Sequence, residues 1–258
     1  MKKVVSVILA LVLCCLLVPA VADETVPAGT WYIGSASSDD TEIQIVDPEA
    51  LLLVVNEDNT FTLTAMDMTV SGTWTIEDSA LVLTLSQQEG EEQQDPTVLK
   101  YEGGDLLYSM GATVVHLSQT PAEPVELSPA VEAESADAFS GGWKPVATIA
   151  YGLYGAINET QAASLLIENG KLSLLLSDGS KMVSYGEYEV AFADGVLTAE
   201  DASFGSSSIT LSLREDGSLF YHTVTDFGEG KLDITYVYVR AEFEVATADE
   251  NESESEGE

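Results

Sequence analysis

Thiols, histidines and basic side chains are scarce in this chain, and their scarcity removes most enzyme chemistry. The only cysteines are Cys14 and Cys15. Both sit in an N-terminal segment built of Met1-Lys2-Lys3, an apolar run from Val4 to Leu17 and the small-residue step Ala20-Val21-Ala22. These are the three parts of a secretory signal peptide, so residues 1–22 are expected to be removed after Ala22 and the product to be secreted. The mature chain then has no thiol, which excludes a disulfide framework and any Cys-ligated metal. Two other readings of the segment stay open. A retained anchor has against it an apolar run shorter than the ~20 residues that span a bilayer. Lipidation at Cys14 or Cys15 has against it Leu13 and Cys14, which stand where such signals carry a small residue.

The chain has only two histidines, His116 and His222. An activated serine needs a base within hydrogen-bond reach, and neither Gly-x-Ser-x-Gly nor His-Glu-x-x-His occurs. No phosphate-cradling Gly-rich loop opens a helix. Paired carboxylates could still hydrolyse a glycoside, but nothing singles out one pair among 44 acids. The expectation is a non-enzymatic protein with no cofactor and no metal.

Basic residues number 9 against 44 acidic ones. Such a surface repels phosphate backbones and anionic head groups, which argues against nucleic acid and anionic membrane surfaces as partners. Two roles for the acidity remain: solubility outside the cell, which is favoured, and attraction of cations or of a cationic extracellular protein partner.

A duplicated pattern organises the rest. Gly29-Thr30-Trp31 and Gly72-Thr73-Trp74 in one copy match Gly141-Gly142-Trp143 and Gly186-Glu187-Tyr188 in the other, with 43 and 45 residues between landmarks. Around them run short β-rich segments separated by turn formers such as Glu57-Asp58-Asn59, Gly103-Gly104-Asp105 and Asp194-Gly195. The fold class expected is all-β: two tandem antiparallel barrels or sandwiches, over 28–119 and 139–243. Residues 120–138, with Pro121, Pro124 and Pro129 among acids, read as an extended linker. Gln87 to Pro96 reads as a solvated hairpin loop, and 244–258 as an acidic tail without a core. One short helix is expected in the second copy, from about Glu159 to Ile167, capped by Asn158 with Gln161 three residues on and Ile157 stapled to Ala162.

Gly-x-Trp at the first strand of an antiparallel unit of this size resembles the lipocalins and wider calycins, and the pair resembles the tandem lipocalin-like domains of secreted bacterial proteins. The resemblance implies that Trp31 and Trp143 pack near a closed barrel end, with Trp74 and Tyr188 in structural roles. It also implies a basic residue of the last strand lying across the ring, here Arg240 over Trp143. The first copy offers His116 in its last strand, which departs from the pattern. In that family the loop after the first strand covers the open end. Here it would place Tyr151, Leu153, Tyr154 and Ile157 over the second barrel, where they either bind a small apolar or amphipathic ligand or merely plug the top. Small barrels are often filled by their own side chains, so a structural or protein-interaction module is the alternative.

Overall fold

The computed structural model describes residues 26–38, 43–65, 68–86, 95–157, 160–177, 181–201, 206–226 and 231–245. Residues 1–25, where the signal peptide is expected, most of the 87–96 stretch, Asn158 and all but the start of 244–258 lie outside them. The described chain is all-β. Its strands are β1 (Gly29–Ser38), β2 (Ile43–Ile45), β3 (Leu51–Val55), β4 (Thr60–Ala65), β5 (Met68–Glu77), β6 (Ala80–Leu85), β7 (Thr97–Glu102), β8 (Asp105–Met110), β9 (Thr113–Ser118) and β10 (Ala130–Val131). After a 3-10 turn at Ala136–Phe139 come β11 (Gly141–Ala150), β12 (Leu153–Ala156), β13 (Ser164–Glu168), β14 (Lys171–Ser177), β15 (Met182–Glu189), β16 (Ala191–Ala193), β17 (Val196–Asp201), β18 (Ser206–Arg214), β19 (Leu219–Asp226) and β20 (Lys231–Ala241).

β1-β3-β4-β5-β6-β7-β8-β9 form a closed antiparallel barrel, and β15-β14-β13-β11-β20-β19-β18-β17-β16 form a second, nearly closed one. Alternation explains the strands: in Leu51-Leu52-Leu53-Val54-Val55 the odd positions are buried and the even ones half-buried, the period of a sheet with one face on a core. Tight hairpins set the register. At Asp78-Ser79, Gly103-Gly104, Tyr151-Gly152, Asn169-Gly170 and Asp194-Gly195 both central residues have positive φ, the type I′ geometry whose twist matches that of the flanking strands.

The duplication holds in three dimensions. Gly29 and Trp31 pair with Val55 and Leu53, and Gly141 and Trp143 with Ile167 and Leu165. Both first strands carry a bulge three residues after the tryptophan, at Gly34 and at Val146. The second landmark aligns differently from the sequence pattern. Trp74 N–H donates to Asn59 O as Val190 N–H does to Gly170 O, and Gly72 pairs with Phe61 as Tyr188 does with Leu172. Tyr188 is thus the counterpart of Gly72, and Trp74 that of Val190.

The reason is how each barrel turns its corner. β5 is continuous, pairing with β4 and then β6, and at Gly72 it comes so close to β6 that a Cβ would lie 2.0 Å from Thr84 O. In the second copy the strand breaks at Val190 into β15 and β16, which leaves room for Tyr188. The expected helix is also corrected. Residues 160–163 are turn and coil, Ser164–Glu168 is β13, and the one helical turn among the described residues lies earlier, at Ala136–Phe139. The apolar run Leu165-Leu166-Ile167 is wanted by the barrel wall, where Leu165 is fully buried, and tertiary burial overrides the local capping signal.

Candidate functional site

Each barrel has a packed end around its tryptophan. In the second, Trp143 is fully buried and its Nε1 donates to Phe139 O at 2.8 Å. Arg240 lies over the ring with Cζ 4.0 Å from the centroid. Its guanidinium donates to Ala138 O at 2.6 Å and to Ser140 O. Three successive carbonyls therefore receive the tryptophan and the arginine, which fastens the 3-10 turn and its buried Phe139 across the barrel end. Arg240 is largely exposed as a residue, yet burial of its head lowers its pKa from the usual arginine value.

In the first barrel, Tyr32 pairs with Ser118, so the residue opposite Trp31 is Gln119. It is this residue, not His116, that stands where Arg240 does. Gln119 Nε2 donates to Ala28 O at 3.2 Å, and Trp31 Nε1 is buried without an acceptor among the described residues. Sequence reasoning missed Gln119 because it sits just beyond the last strand. Its signal was the equal spacing from the preceding Leu117 and Tyr238, which occupy matching inward positions.

Towards the other end the barrels differ. On β9, Leu117 and Val115 face inward opposite Leu106 and Tyr108. On β20 the matching positions are Tyr238 and Tyr236, opposite Leu219 and Tyr221. The Tyr221 ring meets Tyr236 at 6.1 Å and Tyr238 at 6.2 Å between centroids, within the range of favourable aromatic pairing. Tyr238 is 3% exposed and its hydroxyl donates to Ala163 O at 3.0 Å. Burial, then the neighbouring Tyr221, Tyr236 and Tyr185, push its phenol well above the ordinary value. Tyr221 and Tyr236 are half-buried, and Ser207 Oγ and Thr225 Oγ1 are 3.0 Å apart two inward-facing steps further along the same wall. The outer half of the second barrel thus carries rings at Tyr236 and Tyr238 where the first has the aliphatic Val115 and Leu117, while Tyr221 matches Tyr108 of the first.

No protein-family model, curated protein or solved structure matches this chain.

The structure does not bring Tyr151, Leu153, Tyr154 and Ile157 together over that mouth. Tyr151 and Gly152 form the β11–β12 turn, and β12 pairs on one edge with β11 and on the other with β2 of the first barrel, Leu153 opposite Ile45 and Tyr154 opposite Gln44. Val46 and Asp47 N–H groups both donate to Gly152 O, at 2.9 and 3.2 Å. Leu153 packs on the core of the first barrel. Tyr154 packs outside the second barrel with Phe220 and Val237, and burial followed by the Asp216 charge raises its pKa. Ile157 N–H donates to Val146 O. The segment is a seam between barrels, which one-chain periodicity could not reveal because its partner strand lies more than a hundred residues away.

The linker reinforces this seam. Ala122 N–H donates to Ile33 O and Val125 N–H to Ile45 O, while β10 pairs with β18. Arg214 stacks on Phe220, 3.8 Å from its centroid, and reaches Ser128 O at 3.4 Å. The chain's two arginines therefore hold the linker at its middle and at its C-terminal end.

Of the histidines, His222 Nδ1 is 3.0 Å from Thr235 Oγ1 and 3.4 Å from Asp233 Oδ1. Both partners share one ring nitrogen, whereas a nucleophile relay uses the two nitrogens separately. His116 Nδ1 lies 3.9 Å from Asp105. Among the described residues, no group of three or more His, Asp or Glu side chains is placed to hold a metal ion.

Proposed function

We propose that this is a secreted, non-enzymatic binding protein of two lipocalin-like barrels. In this reading the first barrel is filled and the second takes a small amphipathic ligand in its outer half. The observation that carries the reading is the replacement of Leu117 and Val115 by Tyr238 and Tyr236, with Tyr221 completing a ring cluster. Aromatic faces offer apolar contact, and phenols and hydroxyls a few directed hydrogen bonds, which is the usual make-up of a small-molecule site. This site differs from the Tyr151–Ile157 segment, whose strand β12 pairs with β2 in the seam. Gly-x-Trp and the arginine over the ring support the lipocalin-like assignment.

The test is titration of the full chain with a neutral apolar fluorophore, N-phenyl-1-naphthylamine. One saturable site is expected, weakened at least tenfold by Tyr236→Val and by Tyr221→Val. Absence of saturable binding would overturn the ligand reading in favour of a structural or protein-interaction module, which the full burial of Trp143, Leu165 and Leu172 at the closed end also accommodates. Secretion is tested separately: N-terminal sequencing of exported material should begin at Asp23, and a start at Met1 or at a lipidated cysteine would overturn it.

A further inference from the structure

The seam that holds the barrels together also encloses a cleft of about 410 Å³, within the roughly 300–1,000 Å³ of small-molecule sites, which favour domain interfaces. The cleft has two walls of different origin. Glu49 and Ala50 come from the β2–β3 connection of the first barrel, and Ile149, Val224, Lys231 and Asp233 from the second. Its lining mixes the apolar side chains of Val46, Ala50, Ile149 and Val224 with charged groups of both signs. Lys231 is one of few cations in a chain with 44 acidic residues, and among the described residues it makes no ion pair within 4.0 Å, as Glu49 makes none. Tyr151 lies at the edge of the cleft with φ of 53°. An aromatic residue rarely adopts that conformation, and here the two-residue turn of the seam enforces it.

We propose that this cleft binds a small apolar zwitterion of the size of a free α-amino acid. Its carboxylate pairs with Lys231, its ammonium lies against Glu49 and Asp233, and its side chain rests on Ala50, Ile149 and Val224 with Tyr151 covering it. Opposite charges lining one cleft together with apolar side chains complement a zwitterion and reject either half alone, since each half leaves one protein charge facing an apolar group. The site is independent of the tyrosine-lined barrel mouth and does not rest on that reading.

Ligand-observed NMR on the full chain, with L-leucine as the probe, tests it. Saturable binding is expected, at least tenfold weaker for isoamylamine and for 4-methylpentanoate, each of which lacks one charge. Lys231→Gln and the double variant Glu49→Gln/Asp233→Asn should each weaken leucine at least fivefold. These are surface changes, and an unchanged circular dichroism spectrum confirms the fold. N-phenyl-1-naphthylamine bound in the barrel mouth should remain bound at saturating leucine. The proposal is overturned if leucine does not bind saturably, if either single-charge analogue matches it, if Lys231→Gln has no effect, or if leucine displaces the fluorophore. Failure of the fluorophore alone to bind removes the barrel site and leaves the leucine result to stand by itself.

Discussion

Replacing Gly152 with alanine should open the seam. Gly152 has φ of 72°, and a Cβ there would lie 2.1 Å from Asp47 O and 2.7 Å from the Ala50 side chain. The left-handed conformation costs an alanine about 1–2 kcal/mol by itself. A backbone oxygen at 2.1 Å cannot swing aside as a side chain can, so the turn must withdraw from 46–50. That sacrifices the two hydrogen bonds onto Gly152 O, worth about 0.5–1.5 kcal/mol each. The sum is about 2–5 kcal/mol, or roughly 4–20 °C in Tm at 2–4 °C per kcal/mol for a chain of this size. Gly217→Ala is the matched control: φ is 81° and nothing lies within 4 Å of its Cβ, so only the conformational cost of about 1–2 kcal/mol applies. Scanning calorimetry of both variants separates steric eviction from backbone strain. A single transition in the parent should split into two for Gly152→Ala, one per barrel. Equal Tm shifts for the two variants would refute the claim that the close approach at Gly152 holds the barrels together.

Four further outcomes rest on the geometry. Arg240→Ala should cost about 2 kcal/mol in urea unfolding, from a cation–π contact of about 0.5–2 kcal/mol and two carbonyl hydrogen bonds. Gln119→Ala, which removes one neutral exposed bond in the first barrel, should cost less than about 1 kcal/mol. Arg240→Lys should fail to restore the difference, because a lysine cannot reach both Ala138 O and Ser140 O in a planar fork. Asp216 accepts from the Ser218 hydroxyl and N–H, which hold its pKa below the ordinary 3.8. A carboxylate depressed on folding stabilises above its unfolded pKa and loses that contribution as pH falls through the folded one. Asp216→Asn should therefore lower Tm at pH 7 by an amount that shrinks as the pH falls below 3.8, and a constant difference across the range would remove the assignment.

Much of the fold was legible in the sequence because β structure writes itself in period two. The alternation around Leu51–Val55, the Asp-Gly and Gly-Gly turns and the doubled Gly-x-Trp all report backbone requirements within a few residues of themselves. Three features were not legible, each for a definite reason. The capping pattern at Asn158 is a local signal, and the burial of Leu165 and Ile167 in a sheet outweighs it. Matching Trp74 to Tyr188 assumed that both copies turn the barrel corner alike, whereas one uses a glycine in an unbroken strand and the other a break at Val190. The role of Tyr151–Ile157 depends on β2, a strand of three residues with no pattern of its own. The candidate binding residues Tyr221, Tyr236 and Tyr238 were visible only as strand aromatics, since nothing in one copy tells which of its tyrosines replace aliphatics in the other.

β2 and β12 hold the same place in chain order, each being the element that follows the first strand of its copy. Their antiparallel pairing joins like to like, which is the arrangement a two-fold axis imposes on an isologous dimer. A chain of one such barrel, carrying this element with its outer edge bare, would have every incentive to associate with its own twin or to stack further. Duplication within one polypeptide satisfies that edge internally and fixes the stoichiometry at two. Divergence between the copies follows, because only the second needs Tyr151-Gly152 at its turn and only the first needs the 46–50 segment that receives it.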